Sequence, residues 1–552
     1  VLGWAWGWPR ARAGFAGPRW ARWVVSAATS LLVGLVLSVV VAWGLAEAGL
    51  YRPAAEWAVL LGLAALGVAA GWVANRDVLY AHLRSSIPGL LALALSVAAL
   101  MNLPRRGEWV LGGWDPGVYV NQGVYVARHG TFHPPAAPVW RELTPDELTP
   151  VTRRFGKDYT ECFPGVPIAE DTRAFRFYFF RMTPVLIAQA YHSGGLRAAV
   201  RVNEFAGLAA GLLFLACMLR ASPRPSHAVF ASLFLAIQPI FLYHLHTPVS
   251  EMLELALVCG AGFLFMGQPR TWSAQALLGL VFFTAMLNRV SFLALGTLFL
   301  AMQACLDFGR PDRARVLAEH ALLAAALGAG LAFDLSTSGM IPRLDHVLPS
   351  LIRLCLVAAL AAAAVDAAGC FPAARTGLPS SVPVPVLVLL AAALGAGLLV
   401  LLGLVEWKGL SLWSGSALRL GRFVGWPLAG LAISGLAALA VARRQAGLAL
   451  SGQFAGWLAC LLVATVVLLA HKWVADLYPW ATKRFLVCAV PLAAALAAFV
   501  PALLWERGRQ QRWGAIATAA LVALVLAGTA RLGWHAWKRT EYDGISKILG
   551  QV

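Results

Sequence analysis

Runs of apolar residues long enough to cross a bilayer recur along almost the whole of this chain. A hydrocarbon core needs roughly 17–22 such residues in a helix. Candidate runs lie near 24–45, 57–73, 87–103, 200–219, 227–243, 249–267, 274–287, 290–306, 318–334, 347–366, 384–404, 423–441, 455–470, 485–503 and 514–531. Backbone polar groups in hydrocarbon must be satisfied within their own segment, so each run is expected to be a helix. The fold class that follows is an all-α polytopic membrane protein with about 15 transmembrane helices. With 60% hydrophobic and 13% charged residues among 552, a water-soluble globule is excluded.

Orientation follows from the basic residues, because Lys and Arg in short loops stay on the cytoplasmic side. With the N-terminus inside, the inner loops hold Arg10, Arg12, Arg19 and Arg22, then Arg76 and Arg84, Arg220 and Arg224, Arg270, Arg310, Arg313 and Arg315, Arg375, Arg443 and Arg444, and Arg507, Arg509 and Arg512. This threading divides the chain into N-terminal transmembrane helices (1–103), a large extracytoplasmic loop (104–199), a transmembrane bundle (200–531) and an extracytoplasmic tail (532–552). The tail is expected to lead toward a further soluble domain. Asn288 and Arg289 interrupt the long apolar stretch 274–306, and reading it as two segments keeps the arginine pattern intact.

The net charge of +18 is spread over these short loops rather than gathered in one patch, which points to anionic lipid headgroups and away from nucleic acid. Of the 8 cysteines only Cys162 falls in the outer loop, so neither a disulfide framework nor a metal-type CxxC is present. No Walker A sequence or Gly-rich turn after a strand pattern occurs, which argues against an ATP-driven machine.

The outer loop is the one long stretch of mixed polarity. In Trp114-Asp115-Pro116-Gly117, Asp115 is a good helix cap, Pro116 suits a first helical position, and Gly130 follows Arg128 and His129 as a terminator. The spacing predicts a helix between them that rests on the membrane surface. Asp115 has two readings here: a cap, or an oriented carboxylate able to take a proton.

Four local matches, taken in order, resemble the GT-C superfamily of integral membrane glycosyltransferases, in particular bacterial relatives of the dolichyl-phosphate-mannose protein mannosyltransferases. The first is Trp114-Asp115-Pro116-Gly117 after the span entering the outer loop. The second is the return through Tyr178-Phe179-Phe180-Arg181-Met182-Thr183-Pro184 to Arg201-Val202-Asn203. The third is His246-Thr247-Pro248-Val249-Ser250-Glu251 with the later Leu287-Asn288-Arg289. The fourth is Tyr478-Pro479-Trp480-Ala481-Thr482-Lys483-Arg484-Phe485, leading into a late span.

The resemblance implies a GT-C-like fold whose large first outer loop contains membrane-surface helices. It also implies inverting transfer of a sugar from a polyprenyl-phosphate donor to a glycan, lipid or protein acceptor on the extracytoplasmic face of a bacterial plasma membrane. Under that reading Asp115 is the general base, while Lys483, Arg484 and Arg289 contact the donor phosphate. Trp114, Tyr119, Glu251 and Trp480 are then the acceptor- or sugar-binding candidates. Many relatives carry Asp-Glu or Asp-Asp where this chain has Asp115-Pro116, so the second acid is unassigned and the need for a divalent cation is left open. Each residue also has a plainer reading: basic and aromatic residues beside spans anchor to headgroups, and Glu251 can cap a helix. A secondary transporter or flippase remains the alternative, although such proteins usually carry paired repeats and Gly- or Pro-broken spans.

Overall fold

The computed structural model describes, with short gaps, residues 18–66, 115–135, 142–169, 177–337, 421–470 and 483–538, together with a few isolated positions elsewhere. These residues are overwhelmingly helical. In chain order the helices are α1 (Arg19–Glu47), α2 (Pro53–Leu66), α3 (Asp115–His129), a single turn at Pro145–Leu148, α4 (Met182–Ala199), α5 (Val202–Ala221), α6 (Pro225–Ala236), α7 (Pro239–Leu245) and α8 (Ser250–Phe265). They continue with α9 (Trp272–Asn288), α10 (Phe292–Leu306), α11 (Arg313–Thr337), α12 (Trp426–Gln445), α13 (Gly452–Ala470), α14 (Ala489–Ala497), α15 (Phe499–Gly508) and α16 (Arg512–Lys538).

Among the described residues, α1, α5, α11 and the stretch Ala489–Glu506 are long and apolar enough to cross a membrane. A fifth is added if α6 and α7, bent by 63°, form one span. The sequence reading had a single run at 227–243; Pro239 splits it, because Gln238 leaves the helical region with ψ 130° ahead of the proline. The runs at 87–103, 347–366 and 384–404 fall outside the described residues apart from isolated positions.

The stretch 104–199 holds a feature that the all-helical expectation missed. Strands β1 (Arg153–Phe155), β2 (Tyr159–Phe163) and β3 (Val166–Ala169) form an antiparallel meander, with Arg154 opposite Thr160 and Thr160 opposite Ile168. The gaps between the strands are two or three residues, short enough for hairpin turns but too short for a surface helix.

α8 is the centre of the bundle. Every residue from Ser250 to Phe265 is buried, and beyond its first turns the helix is apolar all round, as an element with neither a lipid nor a water face must be. α5 and α9 pack along it. The ring of Phe282 on α9 meets Phe292 at 5.4 Å and Phe299 at 6.1 Å, so α10 folds back beside α9. The stretch 274–306 is therefore two helices, with Arg289 in the turn between them.

Contacts sort the helix ends into two sets. At one end Arg181 reaches Glu47 at 3.3 Å and Thr337 O at 3.0 Å, its own amide donates to Leu287 O, and Asn288 donates to Ser250 O at 2.9 Å. At the other end Arg220 donates to Phe263 O at 2.8 Å, and Ser226 to Glu506 at 2.9 Å.

α3 belongs to the first end. One face of it is packed into the bundle: Val118, Tyr119, Val120, Gln122 and Val126 are buried, and the helix lies on α4. Gly123 permits this approach, since a Cβ there would come within 2.4 Å of Ile187. Gly130 ends the helix as its sequence predicts, with φ 73°, and its carbonyl accepts from Tyr51 N at 3.1 Å.

Candidate functional site

Four remote segments deliver polar side chains to the first end of the bundle. Asp115 opens α3, Glu251 and Glu254 lie on the first turns of α8, Arg289 occupies the α9–α10 turn, and Lys483 stands in the turn leading to α14. Residues three apart on a helix share a face, which is why Glu251 and Glu254 both meet Arg289.

The charges alternate through the cluster. Lys483 Nζ donates to Asp115 Oδ2 and lies 3.8 Å from Glu251 Oε1. Arg289 Nη1 donates to the same Glu251 oxygen at 2.6 Å, and its Nε is 3.2 Å from Glu254 Oε2. Buried ions of this kind persist only when each is paired and hydrogen-bonded. The supporting bonds are present: Arg289 Nη1 donates to Ser250 Oγ at 2.9 Å, and Ser291 Oγ donates to Glu254 Oε1 at 3.2 Å. The N-terminus of α8 adds a positive dipole end beside Glu251.

Uncharged residues fix the frame. Tyr119 O–H donates to Ser250 Oγ at 3.0 Å, and its ring stacks on Phe179 at 4.5 Å. Burial pushes the Tyr119 phenol well above its ordinary range, so it acts as a neutral donor. Asn288 Oδ1 accepts from Thr183 Oγ1 at 2.8 Å while its amide holds Ser250 O, tying α4, α8 and α9 together. Asn203 similarly donates to the carbonyls of His244 and Val249, at 3.3 Å and 3.0 Å, and so fixes the chain entering α8.

Exposure falls along the cluster: the side chain of Asp115 is 37% accessible, that of Lys483 9% and that of Glu251 0%. A ligand would therefore meet Asp115 first. Three carboxylates face two cations, so the cluster, counted over the described residues, carries one negative charge in excess when all are ionised.

Of the residues singled out in the sequence, Asp115, Tyr119, Glu251, Arg289 and Lys483 meet in this one cluster. Trp114, Trp480 and Arg484 lie outside the described residues. Arg289, expected to face a donor phosphate, is engaged by Glu251 and Glu254. The sequence reading passed over Glu254 and Ser291, although Glu251-x-x-Glu254 on an otherwise apolar helix was a visible signal. His244, on α7, is buried and has no hydrogen-bond partner on either ring nitrogen. Among the described residues no three His, Cys, Asp or Glu side chains are grouped to hold a metal.

A separate cavity of about 590 Å³ lies between α1, α2, α4 and α5, with Ser38, Glu56, Gln189, Arg201 and Glu204 among its lining. No residue of the Asp115 cluster lines it. No protein-family model matches the chain, and no curated protein does.

Proposed function

We propose that this protein is an inverting membrane glycosyltransferase that moves a sugar from a polyprenyl-phosphate donor to a glycan, lipid or protein acceptor. In this reading the chain crosses a bacterial plasma membrane about 15 times. Its N-terminus is cytoplasmic and the Asp115 cluster opens on the extracytoplasmic face. The observation that carries the reading is a half-open carboxylate, Asp115, in contact with the Lys483 ammonium at the mouth of a buried ionic cluster. The order of motifs resembling GT-C enzymes supports it.

Asp115 takes the proton of the acceptor hydroxyl as that oxygen bonds to the anomeric carbon from the face opposite the phosphate. The bond between the anomeric carbon and the phosphate oxygen breaks with its electron pair, leaving a lipid phosphate whose new charge Lys483 and Arg484 offset. Arg289 acts through Glu251 and Glu254 as a positioning residue. Tyr119 holds Ser250 and with it the start of α8, and Trp114 and Trp480 offer aromatic faces to a sugar.

The test is transfer of label from polyprenyl-phosphate sugars in vesicles by the parent protein and by Asp115→Asn. Loss of a general base lowers the rate about 10²- to 10⁴-fold, and that is the expected drop. Equal rates would return Asp115 to a capping role. A second reading, a secondary transporter, has its own observation, because α6 and α7 form a helix broken at Pro239 and the buried Glu204 lies 3.3 Å from His246 at its end. Absence of transfer from every donor tested would favour it.

A further inference from the structure

We infer that the Lys483 ammonium is the resident cation of the Asp115–Glu251 pair, occupying the place a divalent ion would otherwise take, so that the intact cluster excludes such an ion and loss of Lys483 creates a site for one. The inference stands on the geometry of the cluster and holds whatever reaction the protein performs.

The two acids come from α3 and α8, and both face one Nζ: Asp115 Oδ2 accepts its hydrogen bond and Glu251 Oε1 lies 3.8 Å away. A small hard cation is commonly held by one or two carboxylates with water completing its shell. An ammonium is likewise a compact point charge with three donors, so the two compete for the same space. Like charges at this separation repel strongly in a partly buried setting.

Arg289 cannot replace Lys483 there. Its guanidinium is already shared among Ser250, Glu251, Glu254 and Ser291. Among the described residues, removing Lys483 therefore leaves one cation against three acids, and an unbalanced anionic pocket draws in a counter-ion. His244 is buried nearby with no hydrogen-bond partner on either ring nitrogen, but it is not grouped with the two acids as a third ligand, so water would complete the shell of an ion held there.

Mn²⁺ binding, read by electron paramagnetic resonance on purified protein in nanodiscs, tests the inference without donor or acceptor. The parent, Lys483→Ala, Lys483→Arg and the double variant Lys483→Ala with Glu251→Gln are compared. Lys483→Ala should bind a single Mn²⁺ about tenfold or more tightly than the parent, while Lys483→Arg and the double variant stay at the parent's level. If Lys483→Ala does not give a monodisperse particle, Lys483→Gln, which keeps most of the bulk, is read against the same controls. Two results overturn the inference: a parent that binds Mn²⁺ and loses it on Glu251→Gln, or a Lys483 variant that gains no binding over the parent. Failure of sugar transfer would leave this measurement intact.

Discussion

Two ionic clusters lie at opposite ends of helices in this bundle, and they are built in different ways. At the α10–α11 turn, Arg310 pairs with Asp312 at 2.8 Å and Glu319 at 3.4 Å, Arg315 pairs with Glu319 at 2.8 Å, and His320 meets Asp307 at 3.3 Å. All of these residues fall within one helix–turn–helix, and its three arginines, Arg313 among them, balance three acids. Such a network closes a turn and needs no further explanation. The Asp115 cluster instead gathers four segments, with Asp115 and Lys483 separated by 368 positions, and among the described residues it leaves an acid in excess. No turn requires that arrangement. Charges brought together from remote segments at the cost of burial mark a place where the fold serves a site rather than itself.

The sharpest way to break this contrast is to remove one arginine from each cluster. Arg289→Met leaves Glu251 and Glu254 buried without their guanidinium and should destabilise the protein by about 3–5 kcal/mol. Arg310→Gln, on a partly exposed network, should cost less than about 1 kcal/mol. Thermal unfolding of the two variants in the same detergent measures both, and equal losses would erase the distinction.

A smaller effect is expected at the frame of the site. Tyr119→Phe keeps the stack on Phe179 and removes the bond to Ser250, for a loss of about 1 kcal/mol. A larger drop in melting temperature than that bond can supply would mean that Ser250 depends on Tyr119 for more than one contact.

The weakest lever is pH at the local cluster. The Arg310 hydrogen bond holds the Asp312 carboxyl below its usual range. A lowered folded value contributes stability above the unfolded value near pH 4, and that stability is lost as pH falls through the folded value. Deuterium uptake across 307–315 should therefore rise between about pH 5 and about pH 3, and less so at high salt, where the exposed pair is already screened. Flat uptake would show that the pair contributes nothing to the turn.

Much of the site was legible in the sequence because an ionisable residue beside an apolar run stands out. Asp115, Glu251, Arg289 and Lys483 each do so, and Gly130 ends α3 where the turn chemistry required. What periodicity does not encode is which remote residue faces which. That Lys483 would meet Asp115, or that Arg289 would spend its guanidinium on two glutamates, depends on how α3, α8 and α14 pack. The break at Pro239 was readable from the proline and was overlooked because hydrophobicity ran on through it. The meander β1–β3 gave a weak signal, since short strands in a charged loop lack the length for clear alternation.

The position of Lys483 in the chain also has a consequence for how the protein is made. Asp115, Glu251, Glu254 and Arg289 all emerge from the ribosome before it, so for much of synthesis the cluster holds three acids and one arginine. Counted over the described residues, a nascent chain in that state carries two acids in excess, and the arrival of the segment before α14 reduces that excess to one. The same contact thus reports that the segment before α14 has docked, and an unfinished chain remains distinguishable by its greater excess of negative charge.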